Sequence, residues 1–267
     1  MSVFAGKVVV LTGASVGIGK ALALALAPQK PRLVLASRDE AQLGQVAEAC
    51  RARGAEAVVV PTDVGSQEAC QRLVTRALGQ FGAIDVLVNN AGIGMIANFE
   101  EVQDLGLYER LIRVNYLSCV YLTYYALPEL KRSKGLIVAV ASLAGLTGVP
   151  TRTGYSASKH AVIGFFDSLR IELMGSGVSV TVVCPDFVVS EIHRRAAGGD
   201  GKPLGRSPMQ ETKIMTTEDC ASQILGAMER RERMLVMSLR GRLGRWARLF
   251  VPGLIDRIAL RAVRTGK

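Results

Sequence analysis

A single doubly wound α/β domain on a seven-stranded parallel sheet is the fold this sequence predicts, and three observations predict it. Apolar runs of strand length recur at 8–12, 32–36, 57–61, 84–89, 135–142 and 179–185, with a weaker one at 234–237. They are near-continuous in Val, Ile, Leu and Ala, the pattern of strands covered on both faces. Amphipathic helical stretches separate them at 17–27, 39–53, 66–80, 107–130 and 155–175. The turn between the first strand and the first helix carries Gly13, Gly17 and Gly19. This is βαβ repetition, and its right-handed crossovers place a ligand crevice at the carboxyl ends of the strands.

Composition sets the bounds. With 267 residues, 49% apolar and 21% charged, the chain can bury a substantial core and is not disordered, collagenous or heptad-built. Five cysteines, Cys50, Cys70, Cys119, Cys184 and Cys220, form no CxxC pair, which argues against a disulfide framework or a thiolate zinc site and fits a reducing, cytoplasmic compartment. Two histidines, His160 and His193, leave little material for a His-rich centre, so no metal site is expected. Residues 1–7 run straight into the first strand, so no export signal is expected, and Ser2 stands where myristoylation needs glycine. The uncharged run 135–151 holds three glycines, Ser142, Thr147 and Pro150 and is short for a bilayer, so it is read as a buried strand and a small-residue loop.

At the first turn, glycine at 13 permits a tight bend, glycine at 17 lets a pyrophosphate approach the backbone beside Ser15 and Ile18, and glycine at 19 lets the helix pack close. The helix N-terminus then offers free amides and partial positive charge to phosphates. The second strand ends in Ser37-Arg38. A ribose 2′-hydroxyl calls for a carboxylate there, whereas a 2′-phosphate calls for a guanidinium, so these residues point to NADP(H), with Asp39 as a competitor for the arginine. Asp63 and Val64 follow the third strand as an adenine edge. Asn89, Ala91 and Gly92 close the fourth as a cofactor floor.

After the fifth strand stands Ser142, and Asn115 lies inside the long helix before it. Tyr155 and Lys159 fall at i and i+4, one face of a helix. A free phenol titrates near pH 10, so proton exchange near neutrality asks for roughly 3–4 kcal/mol of preferential phenolate stabilisation, much of which a neighbouring ammonium and an oxidised nicotinamide would provide. His160, about 140° from Tyr155 on a helical wheel, reads as a packing residue. Beyond the sixth strand, 187–215 breaks the rhythm with Gly198, Gly199, Gly201, Pro203, Gly205 and Pro208, suggesting a long mobile loop in which His193 is read as exposed, with contact to substrate as the alternative. Thr216 to Asp219 restart a helix with capping hydroxyls and acids.

These motifs, in this order over residues 7 to about 240, resemble the short-chain dehydrogenase/reductase family in its compact single-domain branch. The segment from Tyr155 to Ala161, followed by Phe165-Phe166, is most similar to the members around the 11β-hydroxysteroid dehydrogenases, with their links to lipid and steroid metabolism. The resemblance implies a Rossmann fold over 1–238. It implies Tyr155 as general acid in carbonyl reduction and base in alcohol oxidation, and Ser142 on the substrate oxygen. Lys159 would lie on the nicotinamide ribose and beside the phenol, and Asn115 would hold a water that links the lysine to solvent. Pro185 and Val188 would join the cofactor contacts. Two residues depart from the family pattern: Asp186 stands where Gly often follows Pro185, adding charge near the nicotinamide, and Val16 stands where NADP-preferring relatives often carry a base. The family's habit of pairing two long central helices implies a homodimer or homotetramer.

The apolar set Ile93, Leu143, Leu146, Val149, Phe187, Val188 and Val189 favours a lipophilic ketone or alcohol. Residues 230–267 hold eleven Arg or Lys against Glu232 and Asp256, a balance of +9 out of the chain's +10, so the basicity belongs to a tail, 239–267. There Leu239, Leu243, Trp246 and Phe250 recur at helical spacing beside Arg242, Arg245 and Arg248. Ile255, Ile258 and Ala262 repeat the scheme beside Arg257, Arg261 and Arg264. Such segments suit an anionic membrane surface, an oligomer contact or a flap over the cleft. With one Trp and no reading module, nucleic-acid binding is not expected. The reading that follows is a cytoplasmic NADP(H)-dependent carbonyl reductase or alcohol dehydrogenase for a lipophilic substrate, its tail left open between a peripheral membrane contact, a second subunit and the cleft. The alternatives are a ketoacyl-thioester reductase with an acidic carrier partner and a non-catalytic NADP(H)-sensing scaffold.

Overall fold

The computed structural model describes residues 2–207, 209–210, 212 and 214–265; the expectations that fall on Pro208, the Arg264 side chain and Lys267 lie outside what is described. Seven parallel strands, β1 (Val8–Thr12), β2 (Arg32–Ser37), β3 (Glu56–Pro61), β4 (Val86–Asn89), β5 (Leu136–Val140), β6 (Ser179–Cys184) and β7 (Met234–Val236), form one sheet in the order β3-β2-β1-β4-β5-β6-β7. This is the single α/β domain, of Rossmann type, that the alternation predicts. The winding reverses between β1 and β4, and a crevice opens there beyond the strand ends.

Strand side chains alternate in direction, and both directions are buried. Val9 and Leu11 of β1 pack under α1 (Gly17–Leu26), α2 (Glu40–Arg51) and α8 (Thr217–Glu229). Val8 and Val10 pack under α3 (Gln67–Phe81), α5 (Ser118–Arg132) and α6 (Thr153–Glu172). Ordinary caps begin several helices: Asp39 accepts from the Gln42 amide, Ser66 from Ala69 and Thr216 from Asp219.

Three elements differ from the sequence expectation. The helix expected over 107–130 is α4 (Gly106–Ile112), then a π-helical turn over Arg113–Leu117, then α5. The fourth strand starts at Val86, because Asp85 is spent as a clamp: its carboxylate accepts from the Val8 amide at 2.9 Å and from Lys7 Nζ at 2.9 Å. The stretch 187–215 is not structureless. It holds α7 (Glu191–Arg194) and is pinned by parallel bridges Val188↔Met215 and Met95↔Ala197. The tail forms α9 (Leu239–Phe250) and α10 (Pro252–Thr265), broken at Val251 before Pro252. Among the described residues no helix is long and apolar enough to cross a membrane.

Candidate active site

The glycine turn is shaped by contacts that exclude side chains. Gly13 and Gly17 hold positive φ of 65° and 56°, and a Cβ on Gly19 would lie 2.1 Å from the Gly13 carbonyl oxygen. Asn90 ties the turn to the end of β4, its Nδ2 donating to the Thr12 carbonyl at 2.8 Å and the Gly13 carbonyl at 3.3 Å. Thr12 Oγ1 accepts from the amides of Asn90 and Ala91. The N-terminus of α1 has neither a side-chain cap nor an acid in its first turn. Its amides are left for an anion, which is the chemistry a dinucleotide pyrophosphate needs.

A cleft of about 1530 Å³ begins here, lined by Gly13, Ser15, Gly17, Ile18 and Gly19, and then by Ser37, Arg38, Asp63, Val64, Ala91 and Gly92. Asp39 does not compete for Arg38: it caps α2, and no ion pair to Arg38 occurs among the described residues. Ser37 Oγ is buried beside it without a partner. Asn89 is a correction. It is absent from the cleft lining and points toward α5, with Nδ2 3.5 Å from Thr123 Oγ1, because strand alternation turns Asn90 rather than Asn89 toward the turn.

The cleft continues to Ser142, Tyr155, Lys159, Pro185 and Val188. Ser142 follows β5 and caps the short turn Leu143–Gly145, its Oγ accepting from the Ala144 amide at 3.1 Å. Tyr155 lies in the first turn of α6 and Lys159 one turn on, with Nζ 5.8 Å from the phenol ring centroid. The lysine is only 4% exposed, donates to the Val140 carbonyl at 2.8 Å and has no carboxylate partner among the described residues. Gly92 faces this ammonium: a Cβ there would lie 3.2 Å from Asn115 Oδ1 and 3.6 Å from Lys159 Nζ.

Asn115 is fully buried behind the cleft rather than in its lining. It sits in the π-helical turn, a distortion frequent at functional sites. Its Oδ1 accepts from the Ile93 amide at 2.8 Å, while Nδ2 donates to the Ile93 carbonyl and to Ser158 Oγ, both at 2.9 Å. Ser158 Oγ in turn donates to the Tyr155 carbonyl at 2.7 Å. Asn115 therefore joins the loop after β4 to the first turn of α6.

Other expectations are redistributed. Asp186 brings no free charge: Arg240 of α9 grips it with two bonds of 2.7 Å. Burial opposes its ionisation, but the Arg240 and Ser238 hydrogen bonds outweigh that and hold the carboxyl below the usual range. Ile93, Leu143, Leu146, Val149, Phe187 and Val188 line the cleft, whereas Val189 is turned to its outer side, next to Lys20 and Leu24. His193 is buried, not exposed, and packs near Phe187 because α7 folds it under the loop. His160 is exposed rather than packed, its Nδ1 2.8 Å from the Ser156 carbonyl. All five cysteines are free and buried, and burial pushes the Cys70, Cys184 and Cys220 thiols up to about 12.

Arg152 has no counterpart in the sequence reading, whereas a flap over the cleft is one of the three readings given there for the tail. Arg152, the residue before α6, lines the substrate end of the cleft. The tail also turns inward: Leu243, Leu254, Ile255 and Ile258 roof the cleft, while Arg242 donates to the Val236 carbonyl and Arg248 to the Leu146 carbonyl. Only the cation spacing of the tail hinted at two faces, and it gave no direction for either.

Comparison with known proteins agrees with this geometry. The family model for short chain dehydrogenases matches residues 7–199, and the chain belongs to that family, a family of oxidoreductases. It is 37% identical over 258 residues to the 11-beta-hydroxysteroid dehydrogenase A of Sesamum indicum, covering 94% of this chain and 74% of that one. It is likewise 37% identical to the 11-beta-hydroxysteroid dehydrogenase 1A of Arabidopsis thaliana, over 85% of this chain and 67% of that one. A short-chain dehydrogenase/reductase of Burkholderia phymatum, solved with NAD, superposes with a TM-score of 0.78 at 30% identity over 88% of this chain and 90% of its own. An alcohol dehydrogenase of Thermococcus sibiricus, solved with 5-hydroxy-NADP, gives 0.73 at 28% identity over 86% and 93%.

The overlap at Gly19 makes a direct test. Gly19→Ala is expected to weaken nicotinamide-dinucleotide binding at least about tenfold, read by fluorescence titration, because the methyl would displace the Gly13 carbonyl or Asn90. Unchanged binding would show that the turn does not shape the site.

Proposed function

We propose that the protein interconverts a carbonyl and a secondary alcohol on a lipophilic substrate with NADP(H), Tyr155 giving the proton to the substrate oxygen in reduction and taking it back in oxidation. The observation that carries this reading is the buried, acid-free Lys159 ammonium one helical turn from Tyr155 at the wall of the cleft. An ammonium in a low-dielectric setting stabilises negative charge on the phenol oxygen as the proton leaves. It carries three donors. One is used on Val140, and the others are available to ribose hydroxyls. Ser142 Oγ currently accepts from an amide, so its own proton is available to the substrate oxygen. Asn115 and Ser158 fix the Tyr155 backbone and thereby the reach of its hydroxyl. When bound, the nicotinamide supplies the hydride in reduction and accepts it in oxidation.

Unpaired Arg38 beside the orphaned Ser37 hydroxyl supports the 2′-phosphate form of the cofactor. The apolar roof of tail residues supports a lipophilic substrate. The same tail supports a peripheral membrane position: with its arginines bonded to the domain, α9 leaves Leu239, Trp246 and Phe250 outward at 70%, 58% and 82% exposure, an apolar stripe fitted to an interface.

Three outcomes are expected. Tyr155→Phe should lower kcat/KM for ketones by about 10²–10⁴-fold with NADPH binding retained. Surviving turnover would remove the catalytic assignment, and tight NADPH binding by the wild type without turnover of any carbonyl would favour the scaffold. Arg38→Ala should raise the Kd for NADPH about 10–100-fold and that for NADH far less; an equal effect would exclude the 2′-phosphate contact. Replacing Leu239, Trp246 and Phe250 together by Ser should abolish co-sedimentation with phosphatidylserine-containing vesicles, and equal pelleting would dismiss the membrane contact.

A further inference from the structure

At the substrate end of the cleft stands a cation with no carboxylate partner among the described residues. Arg152 sits three residues before Tyr155 and lines the same wall. Its guanidinium carbon lies 5.4 Å from the Phe187 ring centroid, and Nη2 is 3.9 Å from Met209 Sδ. An aromatic face and a thioether are thus its neighbours, and no carboxylate pairs with it among the described residues. Burial pushes the guanidinium below its ordinary value, opposed by the nearness of Tyr155.

The nearby acids are already used. Asp186 is gripped by Arg240, and Glu191 is shared by Arg194 and Arg195 on its own helix. Arg240 also lies over the Phe187 ring, at 5.5 Å, so two guanidiniums share one aromatic platform and only one of them has its counter-ion. A partly buried guanidinium whose side-chain acceptor is a weakly accepting thioether is costly, and the cost is removed when a ligand brings the anion. The planar fork matches a carboxylate with two parallel bonds. One guanidinium balances one negative charge, which a carboxylate carries and a phosphate monoester exceeds. The walls beyond it, Leu146, Val149, Leu254 and Ile258, are hydrocarbon.

We propose that Arg152 anchors a carboxylate on the substrate, so that the preferred substrate is an amphiphile: a carbonyl or alcohol on a hydrocarbon body that also bears an acid group. This rests on the reading of the cleft as a carbonyl site and narrows it. Arg152 acts as a specificity residue, holding the acid end while the carbonyl reaches Tyr155 and Ser142.

The test is chosen to stand apart from turnover. The full chain, saturated with NADP⁺, is titrated calorimetrically with decanoate and with methyl decanoate, which share a chain and differ in charge. The wild type is expected to prefer the acid at least about tenfold, from one charge-assisted hydrogen-bonded pair. Arg152→Gln should collapse that ratio toward one, and Arg152→Lys should restore part of it. A wild type with no acid preference, or a preference that persists in Arg152→Gln, overturns the assignment. In the kinetic arm, a long-chain oxo acid and its methyl ester are compared with NADPH, and the acid-to-ester ratio of kcat/KM should fall in Arg152→Gln through KM rather than kcat. A ratio of one in the wild type counts against Arg152, whereas ketone turnover that survives Tyr155→Phe counts against the catalytic reading.

Discussion

A lysine ammonium held out of water without a carboxylate is the constraint around which the site is organised. Among the described residues the Val140 carbonyl is the one group that accepts directly from the Lys159 ammonium. The remaining donors face the cleft, toward Gly92 and the phenol of Tyr155. A buried cation left in this state is an unfinished interaction, which in the proposed function a ligand with hydroxyl acceptors and negative charge developing on the phenol oxygen would complete. Gly92 and Gly145 show how tightly the lysine is housed: a Cβ on Gly145 would lie 2.7 Å from the Lys159 carbonyl oxygen.

The sheet makes this arrangement possible. Lys159 reaches the carbonyl of the last residue of β5, Ser142 leaves the end of the same strand, and the glycine turn leaves the end of β1. Because the winding reverses between β1 and β4, the loops from those two strands part and leave room for a ligand. Asn115 then crosslinks the two halves of the wall, joining Ile93 after β4 to Ser158 on α6. The π-helical turn gives that residue its inward direction in a helix that otherwise packs against α3 and the sheet.

Around this centre the charges sort by whether the chain itself answers them. Asp186 has Arg240, and Glu191 has two arginines. On α9, Arg242 and Arg248 donate to backbone carbonyls of the domain, and Arg245 reaches the Met234 sulfur. Arg38, Arg113, Arg152, Lys159 and Arg245 line the cleft and have no acid partner among the described residues. In the proposed function Arg38, Arg152 and Lys159 would meet the dinucleotide, the substrate and the reacting oxygen. By bonding inward, the tail arginines also decide that apolar side chains face outward from α9.

Much of this was legible in the sequence, because strand periodicity, glycine turns and i, i+4 spacing are local. The seven strands, the order of the motifs, Gly13 to Gly19 as a tight turn that opens a helix, and Tyr155 with Lys159 on one helix face all follow from neighbours in the chain. What only the tertiary structure decided depends on long-range packing. It placed Asn90 rather than Asn89 at the turn, since a one-residue change of register reverses a side chain. It buried His193 under a loop whose glycines suggested freedom, and it paired Asp186 with an arginine 54 residues away. Helical spacing defined two faces on the tail but gave no direction to either. Direction is set by what the body offers, and here exposed carbonyls and one carboxylate drew the arginines in. Arg152 was invisible for the same reason: an unpaired charge is recognised only when every acid that might have met it has been located in space.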